Sequence, residues 1–490
     1  MQRNDHPHRR DAAAFRELGA TAIDLAARHL ETLENLPVER VVTPQARSRL
    51  LEQSLPEDGL SAQAILKVLA EDVLPWPLPT GHRRSLGWID SPPAPIGILA
   101  DTVATAMNCT SDGYDHSGIF LLAAVSRWLM ELTGFPQEGS MGLLLSGGSM
   151  ANLTALTTAR YRAYERAGRD MRRDGLHGGP RLTVYASDQT HSSVQKCVEM
   201  LGIGADNMRL VATDNRFRIR PDALAAMIEE DIAAGALPCA IVANAGATNT
   251  GAIDPMEAMA DIAAEHGIWL HVDGAYGAIG RLDPEEAPRF AGMERADSLT
   301  IDPHKWFQTP VDCGALLLRD RQLQRRAFSL VPAYLESGES PEAPWPYEYS
   351  FELTYANRAV KAWAALARLG RSGMTELVSR CNRLARQLAR RIEASDSLEA
   401  LTPVSLSVLC FRYRPAGVAE DRLNAVNEHL SRLIGESGEA HVPTSKIRDH
   451  TCLRACFLHY ANGVDDVDHL LDLIARLGPE AVAAAQSSTA

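Results

Sequence analysis

Thr300-Ile-Asp-Pro-His-Lys-Trp-Phe307 is the stretch on which the reading of this 490-residue chain turns. Lys305 stands in a short, mostly uncharged run, with Pro303 and Pro310 on either side and Trp306-Phe307 directly after it. An amine held among aromatic and apolar neighbours loses hydration, which favours its neutral, nucleophilic form. Most lysines are solvated surface charges, so this run gains meaning from the segment ahead of it. Gly267-Ile-Trp-Leu-His-Val272 reads as a buried strand ending on Asp273. Asp273 precedes Lys305 by 32 residues, enough for a crossover between neighbouring parallel strands. An acid at the carboxyl end of such a strand faces the crevice where α/β proteins bind ligands.

A lysine able to form a Schiff base, paired with an aspartate for a pyridinium nitrogen, is the signature of a pyridoxal 5'-phosphate (PLP) site. The runs Asp302-Pro-His-Lys-Trp306 and His271-Val-Asp-Gly-Ala-Tyr276 resemble the group II PLP-dependent amino acid decarboxylases, and most of all the aromatic-L-amino-acid decarboxylases. The resemblance implies fold type I, the aspartate aminotransferase-like α/β architecture. It has a mainly parallel sheet with helices on both faces, an N-terminal helical arm and a small C-terminal α/β domain. It also divides the chain into an arm for dimerisation at 1–81, a large PLP-binding domain at 82–369 and a small domain at 370–490. Strand and helix patterns alternate from about residue 140 to 320, which independently points to a parallel sheet.

Gly142-Leu-Leu-Leu145 reads as a strand entering Ser146-Gly-Gly-Ser149, with a helix following. Glycines let backbone amides approach an oxyanion, and a helix N-terminus adds a favourable dipole. This is a phosphate cradle by composition, and the resemblance gives Gly147, Gly148 and Ser149 as its contacts. A hydrolase elbow needs Gly-x-Ser-x-Gly, and here Ala151 replaces the last glycine. By the same resemblance, His191 in Tyr185-Ala-Ser-Asp-Gln-Thr-His-Ser-Ser193 lies on the cofactor ring and exchanges protons near the reacting carbon. Thr248 lies beside the cofactor and bonds the ring substituents or orients the acid. Ala275, Asp302 and His304 complete the cofactor contacts.

On the substrate side, His82 to Pro93 looks like the family's pocket loop. That match brings Trp88, Ile89, Asp90 and Ser91 to the substrate side chain, with Thr110 and Asp112 arriving from a neighbouring subunit. Arg454, in a strand-like Thr451-Cys-Leu-Arg-Ala-Cys456, matches the arginine that clamps the substrate carboxylate, for which a planar guanidinium suits a bidentate contact. The clamp decides which bond at Cα aligns with the ring, and therefore favours loss of CO2 over transamination. The resemblance also implies a flexible loop before Asn357 that carries the proton donor, for which Tyr347 and Tyr349 are the candidates and Tyr347 is favoured by its spacing from the helix at Asn357.

Trp88 favours an aromatic L-amino acid as substrate, whereas Asp90 and Asp112 keep a polar or cationic side chain open. An aldehyde synthase, an aminotransferase, a carbon–sulfur lyase and a non-catalytic PLP-fold protein are the other readings. The arm implies a homodimer: Phe15, Leu18, Ile23, Leu25, Leu30 and Leu33 form an apolar stripe that so short an arm cannot bury alone.

Composition narrows the partners. A formal net charge of −13 and the lack of basic runs argue against nucleic acid and anionic membranes. Eight scattered cysteines without a Cys-x-x-Cys pair argue against a metal cluster or a disulfide framework, so no metal is expected. No apolar core follows the charged first residues, and no run is long enough to span a bilayer. The expectation is a cytoplasmic, membrane-free enzyme.

Overall fold

The computed structural model describes residues 11–110, 115–330, 343–354 and 356–487. Seven strands make the main sheet: β1 (Met141–Leu145), β2 (Leu182–Ala186), β3 (Met208–Leu210), β4 (Leu237–Asn244), β5 (Trp269–Asp273), β6 (Ser298–Ile301) and β7 (Gly314–Leu318). Their order is β1-β7-β6-β5-β4-β2-β3. β3, β2, β4, β5 and β6 pair in parallel, while β7 runs antiparallel to both β1 and β6.

Both faces are apolar, and the alternation of side chains sorts them. Ala240 and Val242 of β4, with Leu316 and Leu318 of β7, join a cluster with Ala151, Ala155 and Ala159 of the helix Gly148–Arg166. Their neighbours Ile241, Ala243, Ala315 and Leu317 face the opposite cluster, which includes Leu122 and Leu129 of the helix Ser117–Thr133. This is the expected fold type I layering. The β5–β6 crossover contains three 3-10 turns, at Ala278–Leu282, Ala287–Phe290 and Met293–Arg295.

The helix Arg358–Glu393 is broken at Gly370, whose φ of +62° suits glycine alone among common residues. Beyond it, β8 (Leu398–Ala400), β9 (Val408–Tyr413), β10 (Thr444–Ile447) and β11 (His450–Cys456) form an antiparallel sheet in the order β10-β11-β9-β8. The strand expected from Ser405 begins only at Val408, because Leu406 takes a left-handed turn at φ +52°. The two sheets meet where the Tyr276 hydroxyl and Ser407 Oγ lie 2.7 Å apart and the Ser407 amide donates to Tyr276.

The arm helices Ala12–Thr32 and Ala62–Val68 contain no buried residue. Phe15, Ile23 and Ile65 are exposed, and so are Ile96, Leu99, Val103 and Met107 along one stripe of the helix Pro95–Met107. No described helix is long and apolar enough to cross a membrane.

Candidate active site

The parallel strands end in register at one edge: Asp273, the last residue of β5, pairs with Asn244 of β4 and Thr300 of β6. Lys305 follows β6 directly, so sheet topology brings the lysine and the aspartate to one crevice. A cavity of about 500 Å³ opens there. Gly147, Gly148, Ser149, His191, Thr248, Asp273, Ala275, Asp302, His304, Lys305, Trp88, Ile89 and Arg454 all line it.

The surroundings of Lys305 correct the expectation of an apolar nest. Trp306 and Phe307 turn away into the core, and Trp306 stacks on Tyr276 with ring centroids 5.7 Å apart. The partner of Lys305 Nζ is a carboxylate, Asp302 Oδ2 at 2.9 Å, with His304 Nε2 at 3.7 Å from the same oxygen. His304 Nδ1 is fixed 2.7 Å from the Cys313 carbonyl, which makes that nitrogen the donor. Asp302 Oδ1 is buried with no hydrogen-bond partner among the described residues.

Asp273 is held by residues the sequence did not single out. Asn152 Nδ2 donates to Asp273 Oδ2 at 2.9 Å and to Ser193 Oγ at 3.1 Å. Asn152 Oδ1 accepts from Thr300 Oγ1 at 2.8 Å and lies 3.0 Å from His271 Nε2. Complete burial pushes the His271 imidazole down to about 4, so the ring is neutral at pH 7. Its bond to the Asn152 carbonyl places the proton on Nε2, and Nδ1, 2.8 Å from Ser298 Oγ, then accepts. The Ala275 amide donates to Asp273 Oδ1 at 3.2 Å. Orientation of the acid therefore falls to Asn152 and Ala275, rather than to Thr248. Asn152 lies on the second turn of the helix Gly148–Arg166, but a helical asparagine carries no local signal for this role.

The glycine turn fits a phosphate. The amides of Met150 and Ala151 close on the Gly147 carbonyl, and the amides ahead of them are the orphan donors of a helix start. A Cβ on Gly148 would stand 3.0 Å from Asp302 Oδ2 and 3.1 Å from Ala275 Cβ, so a side chain there would crowd the cleft. His191 is the N-cap of the helix Ser192–Met200, with Nδ1 2.8 Å from Ser193 Oγ, and its ring still faces the cavity. An amine, an acid for a ring nitrogen and a phosphate cradle share one cleft, and these residues fit PLP.

The substrate side divides. Trp88, Ile89 and Arg454 line the cavity, whereas Asp90 and Ser91 do not. Ser91 Oγ instead donates to the carbonyls of His304 and Lys305, which ties the loop to the lysine. Arg454 donates from Nη1 to the Thr248 carbonyl at 3.0 Å and from Nη2 to the Gly87 carbonyl, while its Nε is buried with no partner among the described residues. Burial pushes the Asp90 carboxyl up to about 6, opposed by the charges of His441, Lys305 and Arg454. Tyr347 does not line the cavity but packs in a separate cluster with Ile119, Ala343 and Trp345, and Tyr349 is buried in the core. Asp112 lies outside the described residues.

Fold and site together define a fold type I PLP-dependent enzyme. Residues 44–414 match the family model described as the pyridoxal-dependent decarboxylase conserved domain. The chain is 31% identical over 474 residues to an aromatic-L-amino-acid decarboxylase of Bacillus atrophaeus, covering 96% of each protein. It is 31% identical over 382 residues to the mouse acidic amino acid decarboxylase GADL1, covering 77% of this chain and 68% of that one. The crystal structure of Oryza sativa TDC with PLP and tryptamine superposes with a TM-score of 0.90 at 26% identity, covering 97% of this chain and 99% of that one. This chain belongs to the pyridoxal-dependent decarboxylase family, and it is a PLP-dependent amino acid decarboxylase.

Proposed function

We propose that the substrate is an aromatic L-amino acid, released as its amine and CO2. The observation that carries this is Trp88, a large flat wall of the cavity beside Ile89. A second reading, an acidic side chain, has the mouse relative in its favour. Against it, the described lining holds no lysine or arginine besides Lys305 and Arg454, and Asp90 adds negative charge nearby.

When bound, PLP supplies a ring that accepts the electron pair left at Cα as CO2 departs. Lys305 would hold the cofactor through its side-chain amine. Asp273, fixed by Asn152, keeps a proton on the ring nitrogen. Gly147, Gly148 and Ser149 would hold the phosphate, His191 would lie against the ring, and Thr248, Ala275, Asp302 and His304 would shape the rest of the cradle. Arg454 binds the substrate carboxylate, and its unpartnered Nε supports that role. Tyr347 delivers the proton to Cα in the partner's site, since it lies outside the cavity of its own chain.

The second subunit is a further part of this proposal. The uncovered stripes of the arm and of the helix Pro95–Met107 support a homodimer. Segments 1–81, 82–369 and 370–490 then serve as arm, cofactor domain and small domain, with the break at Gly370 falling at the last boundary. Eight free cysteines suit a reducing compartment and support a cytoplasmic location.

A panel of L-amino acids, scored for CO2 and amine together, tests the substrate. CO2 with tyramine, tryptamine or phenylethylamine supports it. Turnover of glutamate or cysteine sulfinate alone overturns it, and aldehyde with peroxide in place of amine overturns the amine as product.

A further inference from the structure

The wall formed by Trp88 is itself held from outside the cavity. His441 meets the Trp88 ring edge to face, with centroids 5.2 Å apart and planes at 75°. Its Nδ1 is hydrogen-bonded to Glu39, which follows the first arm helix in the chain. The backbone around this contact is locked as well. The Leu86 amide donates to the His441 carbonyl at 2.9 Å, and the His441 amide donates to the Arg84 carbonyl at 3.0 Å. Between them, Gly87 has no room for a side chain: a Cβ there would lie 1.9 Å from Pro443 Cδ and 2.7 Å from His441 Cδ2. The Gly87 carbonyl accepts from Arg454 on the other side. Glu39 is in turn pinned to the small domain, since the Val38 amide donates to the Gly438 carbonyl at 2.7 Å.

We infer that Glu39 and His441 are positioning residues for substrate selection, holding Trp88 as the wall that receives the substrate side chain. The histidine ring supplies the surface against which the indole rests. The carboxylate of Glu39 fixes the plane of that ring, and a ring held by a charged hydrogen bond does not rotate to follow a tilting indole. Selection of the side chain is thereby coupled to the docking of the arm onto the small domain. This rests on the aromatic reading for the substrate it names, while the linkage itself concerns only Glu39, His441 and Trp88.

The experiment is a double-mutant cycle of Glu39→Gln and His441→Ala, with His441→Asn as a milder change that keeps a side-chain donor. Each variant is read by KM and kcat for the preferred amino acid, and by the Kd of its product amine, which has the same side chain and no carboxylate. Glu39→Gln is expected to raise KM and amine Kd together by about threefold, and His441→Ala by about tenfold, with kcat within about twofold. In the His441→Ala background Glu39→Gln should have no further effect. Additive effects of the two changes, or a fall in kcat with unchanged KM and Kd, would overturn the linkage. Wild-type turnover of a non-aromatic substrate alone defeats the substrate reading separately, because the same cycle is then run with that substrate and its amine.

Discussion

Asn152 holds Asp273 in place: the side-chain amide donates to Oδ2 at 2.9 Å, and its carbonyl is held by Thr300 and His271. All four side chains are buried, so none of these bonds can be replaced by water without rearrangement. Asn152→Ala should leave the acid, the hydroxyl and the imidazole each short of a partner. We expect kcat to fall by about ten- to a hundredfold, and PLP to dissociate faster on dialysis, as followed by cofactor absorbance. Wild-type kcat with full cofactor retention would show that Asp273 keeps its position unaided.

Lys305→Ala removes the only lysine amine among the described residues that line the cavity. Activity should fall by about a thousandfold or more. After borohydride reduction, intact mass should show PLP on the wild-type chain and none on the variant. Reduction onto another lysine would displace Lys305 from its role.

Tyr347 sits in a cluster with Ile119 and Trp345, away from the Lys305 cavity of its own chain. If it serves the partner's site, Lys305→Ala and Tyr347→Phe protomers should complement one another. Each variant alone should be nearly inactive as a decarboxylase. A mixture unfolded and refolded at equal ratio should recover about a quarter of wild-type activity, since half the dimers would carry one intact site. No recovery would place the tyrosine's action within its own chain, and a Tyr347→Phe variant that is active alone would rule it out as the donor.

Asp90 titrates near 6 in the folded chain against an ordinary 3.8, because burial penalises its carboxylate. Its protonated form thus favours folding below pH 3.8, and that benefit is lost as the pH rises through 6. Asp90→Asn should stabilise the apoenzyme at pH 8 by up to about 3 kcal/mol, a figure that follows from the size of the shift. The gain should hold down to about pH 6 and shrink from there towards pH 4. Denaturant midpoints across that range check it, and a gain independent of pH would mean that the carboxylate is not desolvated.

The sequence alone determined the sheet and the chemistry of its edge. Buried strands ending on Asp273 and just before Lys305 had to place both at one crevice. The glycines at 147 and 148 could be read because backbone approach to an anion leaves a compositional mark. What only the tertiary structure decided were the contacts between distant segments, where no local pattern records the partner. Asn152 looks like any helical asparagine until β5 and β6 bring Asp273, His271 and Thr300 around it. Ser91 was expected to face the substrate, but the backbone of the Lys305 loop was closer. Trp306 and Phe307, adjacent to the lysine in sequence, point into the core, and Asp302 takes the place beside the amine. Local pattern sets which face of an element is buried; which residues meet there is set by packing, and packing is a property of the folded chain.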